Sequence, residues 1–264
     1  MIEEPYRWVE AVANRREYIE TQLAAGSPIA AVGCRDGILF VTLGRTRQKV
    51  FEIYDRIAMG AIGHPGDIER LRMAAIELAS MEGFTRSAAD VSLRRLAYYS
   101  LSPVLKAAFE QIYAAPYLAR MLFAEVGEKP EQDLFLRVEY DGGIASNSGT
   151  VEEARQHFGV VSGTRTSAEL MESFLKEQHD AGATLQRALE TAADACVIGK
   201  MALGDEGVRE LPAKETLAGE RGKHSRARGL EAAFLERSGE VAIRYRPLTD
   251  EELQSLSAGQ PAAK

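Results

Sequence analysis

The residues best placed to do chemistry sit at one junction. Gly26-Ser27 stands directly ahead of an apolar run in the stretch AAGSPIAAVGCRDGILFV, residues 24–41. Cutting a chain between Gly and Ser at the start of a strand frees an amino group on the hydroxyl-bearing residue. That amine can take the hydroxyl proton, so an N-terminal nucleophile carries its own base. Ser27 is therefore a candidate nucleophile, although Pro28 directly after it restricts the backbone and removes an N–H. The other reactive residue types form no comparable group. His64, His157, His179 and His224 are scattered, with no serine-histidine-carboxylate order, and His157 and His179 read as solvated. Cys34 and Cys196 are the only cysteines and lie in apolar contexts. With no CxxC pair and no Cys/His cluster, they read as reduced, buried thiols and imply no metal. Asp141-Gly142-Gly143 lacks the lysine and helix start of a phosphate loop and reads as a turn. The acidic groups EEPY, DEGVRE and DEEL read as solvated surface charge. No cofactor is implied.

The elements that would position Ser27 follow from composition and pattern. The chain has 264 residues, 45% hydrophobic content and a net charge of -7. That suits one large domain or two small ones, and it argues against a nucleic acid or an anionic membrane as main partner. No apolar run approaches the ~18 residues a membrane helix needs. The acidic start MIEEPYRW has no apolar signal core, so a cytoplasmic location is expected. Residues 6–24 are predicted to form an amphipathic helix, with Pro5 in its first turn and Trp8, Val12, Ile19 and Leu23 on one face. Two apolar strand pairs follow: PIAAVGC with GILFVTL around Asp36-Gly37, then KVFEIYD with RIAMGAIG. A helix capped by Asp67 comes next, with Ile68, Leu71, Ala75 and Leu78 as its apolar stripe. Another spans about 87–114; it opens at Ser87 with Asp90 at N3, and Pro103 should kink or split it. Strands return in YLARMLFAEV, DLFLRVEY and FGVVSGT. Helices are expected at 168–179, capped by Thr166 or Ser167, and at 185–198, capped by Thr184. Residues 200–228 read as an exposed charged loop. GLEAAFLER and VAIRYRPL, joined at Ser238-Gly239, form a last strand pair. A short acidic segment, TDEELQSL, ends the ordered part, and 257–264 read as a disordered tail.

Strands in blocks, separated by helix pairs, point to an α+β fold. Its arrangement is a four-layer α-β-β-α sandwich with an extra N-terminal helix, in a single domain over 6–256.

This order of elements resembles the N-terminal-nucleophile hydrolase sandwich. The stretches AVGCRDGILFV, KVFEIYDRIAMGAIG, DIERLR, LFAEVGEKPEQDLFLRVEYDG and FGVVSGT resemble proteasome core subunits, specifically the bacterial, actinobacterial-like α type, over roughly residues 6–200. In catalytic β subunits of this family an N-terminal Thr is helped by a Lys and an Asp. The resemblance places Ser27 at the Thr position and Lys49 at the Lys position, just before the third strand. The Asp position falls in VTLGR, which has no carboxylate. Two readings follow from the resemblance. One is a non-catalytic α subunit, a structural part of a threonine-type endopeptidase complex. It would form a seven-membered ring stacked on β subunits and dock a ring-shaped ATPase of the AAA class, or another activator, through that partner's C-terminal tail. The other is a self-processed hydrolase using Ser27 and Lys49. In the first reading Met1, Ile2, Glu3, Glu4 and Pro5 form a gate. Trp8, Val12, Ile19 and Leu23 serve ring assembly. Gly26, Lys49 and His64 form the activator pocket.

Overall fold

The computed structural model describes residues 5–44, 46–111, 114–146, 156–204, 210–227, 229–238 and 243–257. Helix α1 (Pro5–Leu23) precedes the hairpin β1 (Ile29–Cys34) and β2 (Gly37–Leu43), whose residues are all buried. Continuous burial explains why these strands read as apolar runs and not as alternating patterns. β3 (Val50–Tyr54) and β4 (Ile57–Gly63) form the second hairpin, followed by α2 (Pro65–Thr85). A 3-10 turn (Ala88–Asp90) leads into α3 (Leu93–Arg95), a π-helical stretch (Leu96–Leu101) and α4 (Ser102–Glu110). β5 (Ala119–Glu125), β6 (Leu134–Val138), β7 (Ile144–Ser146) and β8 (Phe158–Val161) come next. The chain continues with α5 (Arg165–Gln178), α6 (Leu185–Gly204), α7 (Lys214–Ala227), β9 (Leu230–Glu236), β10 (Tyr245–Pro247) and α8 (Asp250–Ser257).

Two five-stranded antiparallel sheets result, in the orders β10-β9-β2-β1-β8 and β3-β4-β5-β6-β7. Three apolar clusters define the layers. Ile29, Phe40, Ile62, Leu122, Phe135 and Val161 lie between the sheets. Val32, Val41 and Phe234 pack with Met171, Cys196 and Ile198 under α5 and α6. Met59, Met121 and Phe123 pack with Leu71, Leu96 and Leu105 under α2 and the α3–α4 segment. The predicted four-layer sandwich is the observed fold.

Several local expectations are corrected. Asp67 does not cap α2. The helix starts three residues earlier, with Pro65 in its first turn and His64 at the N-cap. The Asp67 carboxylate instead accepts the Leu118 N–H at 3.0 Å, tying α2 to the approach of β5. The long helix expected over 87–114 is broken. Ser87 caps only the 3-10 turn, and Ser92 caps α3. Pro103 follows a π-helical stretch in which the Ser102 N–H reaches five residues back to the Ala97 carbonyl. Widening the turn there accommodates the proline, which has no N–H to give. Thr164, not Thr166 or Ser167, caps α5 by accepting the Ser167 N–H.

Residues 200–228 are not a loop throughout, because α6 runs to Gly204 and α7 fills most of the remainder. α7 is held by the buried Leu217 and by an Arg221–Asp194 ion pair of 3.1 Å to α6. A single buried apolar residue among charges gives no helical stripe, so periodicity missed it. β7 is too short to pattern. Gly239, in the expected turn at Ser238-Gly239, and the tail beyond 257 lie outside the described residues.

Candidate functional site

Gly26 and Ser27 link the end of α1 to β1, and Lys49 stands just before β3. Together they line a groove of about 390 Å³ whose walls include Phe51, Ile62 and Ile68, with Arg47, Gln48 and Glu69 also facing it. Gly26 is held close. Its N–H donates to the Leu23 carbonyl at 2.8 Å, and a Cβ there would sit 2.9 Å from Ile62 Cδ1 and 3.0 Å from Leu23 O. Intrachain packing alone thus requires a glycine, independent of any ligand. His64 is exposed and folds over Gly66, while its chain neighbours Gly63 and Pro65 line the groove. Of the three expected pocket residues, the fold brings Gly26 and Lys49 together and leaves His64 outside the lining.

The Lys49 ammonium is half-buried and aimed at the end of β2. It donates to the Leu43 carbonyl at 2.6 Å, the Gly44 carbonyl at 3.0 Å and Thr42 Oγ1 at 3.4 Å. Thr42 in turn donates to the Pro28 carbonyl at 2.8 Å. Burial is the main influence on Lys49 and lowers its pKa; the field of Glu231 opposes this and that of Lys200 adds to it. The segment expected to lack the orienting carboxylate is therefore the one Lys49 faces, through carbonyls. Among the described residues no hydrogen bond joins Lys49 to Ser27. Glu231 is the residue that sequence reasoning missed. It lies on β9, and its Oε1 accepts the backbone N–H groups of Lys49 at 2.8 Å and Val50 at 3.0 Å. The only hint in the sequence is a charge inside the apolar run GLEAAFLER.

The segment before Ser27 is built into the molecule. Ile19 and Leu23 are fully buried with Phe109 and Tyr140. Arg15 donates to the carbonyls of Phe109 (2.6 Å), Gln111 (2.7 Å) and Ala114 (2.7 Å), satisfying groups at the end of α4. Glu20 receives Arg120 at 2.9 and 3.1 Å and the Tyr140 hydroxyl at 2.8 Å. Gly163, after β8, backs onto the carbonyls of Leu23 and Ala24 with no room for a side chain. Ile19 and Leu23, expected to face a neighbouring subunit, therefore face their own. Val12 is half-buried, and Trp8 (42%), Val9 (67%) and Tyr18 (53%) are the large hydrophobic side chains of α1 exposed among the described residues. Among the described residues no helix is long and apolar enough to cross a membrane.

No family model matches the chain. Whole-chain relatives do. A proteasome subunit alpha of Streptomyces avermitilis is 31% identical over 249 residues, covering 94% of this chain and 87% of the relative. One of Kineococcus radiotolerans is 31% identical over 252 residues, 95% of each chain. One of Actinosynnema mirum is 34% identical over 230 residues, 86% of this chain and 77% of its own. With the four-layer sandwich and its anchored N-terminal helix, this similarity makes the chain a member of the proteasome α subunit family.

Proposed function

We propose that this α subunit is non-catalytic and acts in architecture, gating and docking. Seven copies form each outer ring of a barrel whose inner rings are catalytic β subunits. Residues 1–5 gate the axial pore, and the exposed end of α1, led by Trp8, contacts the neighbouring subunit. The groove at Gly26 and Lys49 receives the C-terminal tail of a ring-shaped ATPase or other activator, with the Lys49 ammonium pairing with the terminal carboxylate as a charge-assisted hydrogen bond. The observation that carries the non-catalytic reading is the burial of Ile19 and Leu23 in their own subunit's core. Freeing Ser27 as an N-terminal nucleophile would remove a helix the fold is built around, and Lys49 is committed to backbone carbonyls and not to Ser27.

The test is coexpression with a proteasome β subunit, followed by intact mass of this chain in the purified particle and imaging of its rings. A full-length chain in outer rings is the expected result. A chain shortened by its first 26 residues would overturn it and make Ser27 a processed nucleophile.

A further inference from the structure

Glu231 joins the two sheets next to Lys49 and is not itself among the residues that line the groove. Its own strand, β9, belongs to the sheet of β1 and β2, where it pairs across from Thr42. Its carboxylate reaches β3 in the other sheet and accepts two consecutive backbone N–H groups, Lys49 and Val50, on one oxygen. β3 is an edge strand, so these donors would otherwise have no ladder partner. The Lys49 carbonyl on the opposite side accepts from the Ala61 N–H at 3.0 Å. The Lys49 backbone is thus held from both sides, and its side chain is left one course, toward Thr42, Leu43 and Gly44.

The second oxygen of Glu231 is the unusual feature. Oε2 is buried and has no hydrogen-bond partner among the described residues. A buried carboxylate oxygen without a donor is costly unless a nearby cation offsets its charge. The Lys49 ammonium reaches Thr42 Oγ1 at 3.4 Å, and Thr42 is the residue paired across from Glu231, so the two charges share one stretch of the sheet. Cys196 and Lys200 also act on Lys49, in opposite directions.

We propose that Glu231 is the positioning residue of Lys49: it fixes the lysine backbone at the mouth of the groove and, by its charge, limits how strongly the groove binds an anionic chain terminus. This rests on the reading of the groove as a docking site for a C-terminal carboxylate. An incoming carboxylate meets a cation already balanced by a carboxylate, so docking is weak enough to be reversible. The resting charge balance also keeps a buried lysine from being an uncompensated charge.

Three variants of the full-length chain, assembled with a β subunit, separate the possibilities: Lys49→Ala, Glu231→Gln and Glu231→Ala. The probe is a short fluorescent peptide with apolar last residues, once with a free terminal carboxylate and once amidated. Binding is read by anisotropy at neutral pH. Glu231→Gln keeps an acceptor for the two N–H groups and removes the charge. It should tighten the free-carboxylate peptide by about threefold or more, the scale of one like charge removed at a partly screened site, and leave the amidated peptide unchanged. Glu231→Ala also loses the clamp and should bind the carboxylate peptide more weakly than Glu231→Gln. Equal effects of Glu231→Gln on both peptides, or none on either, would overturn the proposal while Lys49→Ala still weakens binding. If Lys49→Ala itself leaves the carboxylate peptide unaffected, it is the docking reading that fails.

Discussion

Cys196 shows how burial acts on a single reactive group. It sits on α6 with no exposed surface, and its thiol donates to the Val41 carbonyl at 3.2 Å. Burial pushes its pKa from 9.0 up to about 12. The folded state therefore favours the protonated thiol more than the unfolded state does. Its contribution to stability is complete below pH 9 and is lost as pH rises from 9 toward about 12. Tyr245, raised from 10.0 to about 12 mainly by burial, acts in the same direction. Thermal melts across alkaline pH should show a falling midpoint in the wild type and a shallower fall in Cys196→Ala, with the slope reduced but not abolished because Tyr245 remains. An unchanged slope in Cys196→Ala would remove the linkage. The same burial should leave the thiol unlabelled by alkylating reagents until the chain unfolds.

Among the elements, α1 has an anchored face and an exposed face. Ile19, Leu23, Arg15 and Glu20 tie the anchored face to α4, β5 and the turn after β6. Trp8, Val9 and Tyr18 are exposed. The two faces should respond differently to truncation. Leu23→Ala should cost the isolated subunit about 2–5 kcal/mol, the usual range for emptying a fully buried leucine site. Trp8→Ala with Tyr18→Ala should change subunit stability by no more than ~0.5 kcal/mol, as surface substitutions do, yet reduce ring formation in size-exclusion chromatography. Normal rings from that pair would show that α1 does not carry the subunit contact. Ile19 is unsuited to such a test despite lying on the same predicted face, because its loss would unsettle the subunit as well as any contact.

For the whole molecule, the proposed gate is the property to test. α1 begins at Pro5, and residues 1–4, outside the described residues, would under the proposed function act at the pore of the ring. Under the proposed function, Ile2 would supply apolar contact there and Glu3 and Glu4 charge. Deleting residues 1–4, stopping short of Pro5 so that α1 keeps its start, should speed degradation of an unfolded protein by the assembled particle. Turnover of a small peptide should change much less, since a short substrate diffuses past a partly closed pore. Protein degradation at the wild-type rate after the deletion would rule out a gate. α7, packed on α6 through Leu217 and Arg221, lies away from the groove in sequence and in its contacts.

Sequence alone determined the layers. The apolar runs of β1, β2 and β4 and the helical spacing in α1 and α2 are local consequences of which faces must be buried, so they are legible without any fold in hand. Gly26 and Lys49 were legible as a pair only through the resemblance to proteasome subunits, which places both at the expected activator pocket. The tertiary structure decided what those boundaries touch. Asp67 left its cap role because a strand approach offered an unpaired N–H. Ile19 and Leu23 turned inward because α4 ends beneath α1. Glu231 reached the Lys49 backbone from a strand 182 residues along the chain. Periodicity reports that a face is buried but not against what; partners across sheets are set only when the two sheets pack, and that choice gives Lys49 its carbonyls and its carboxylate.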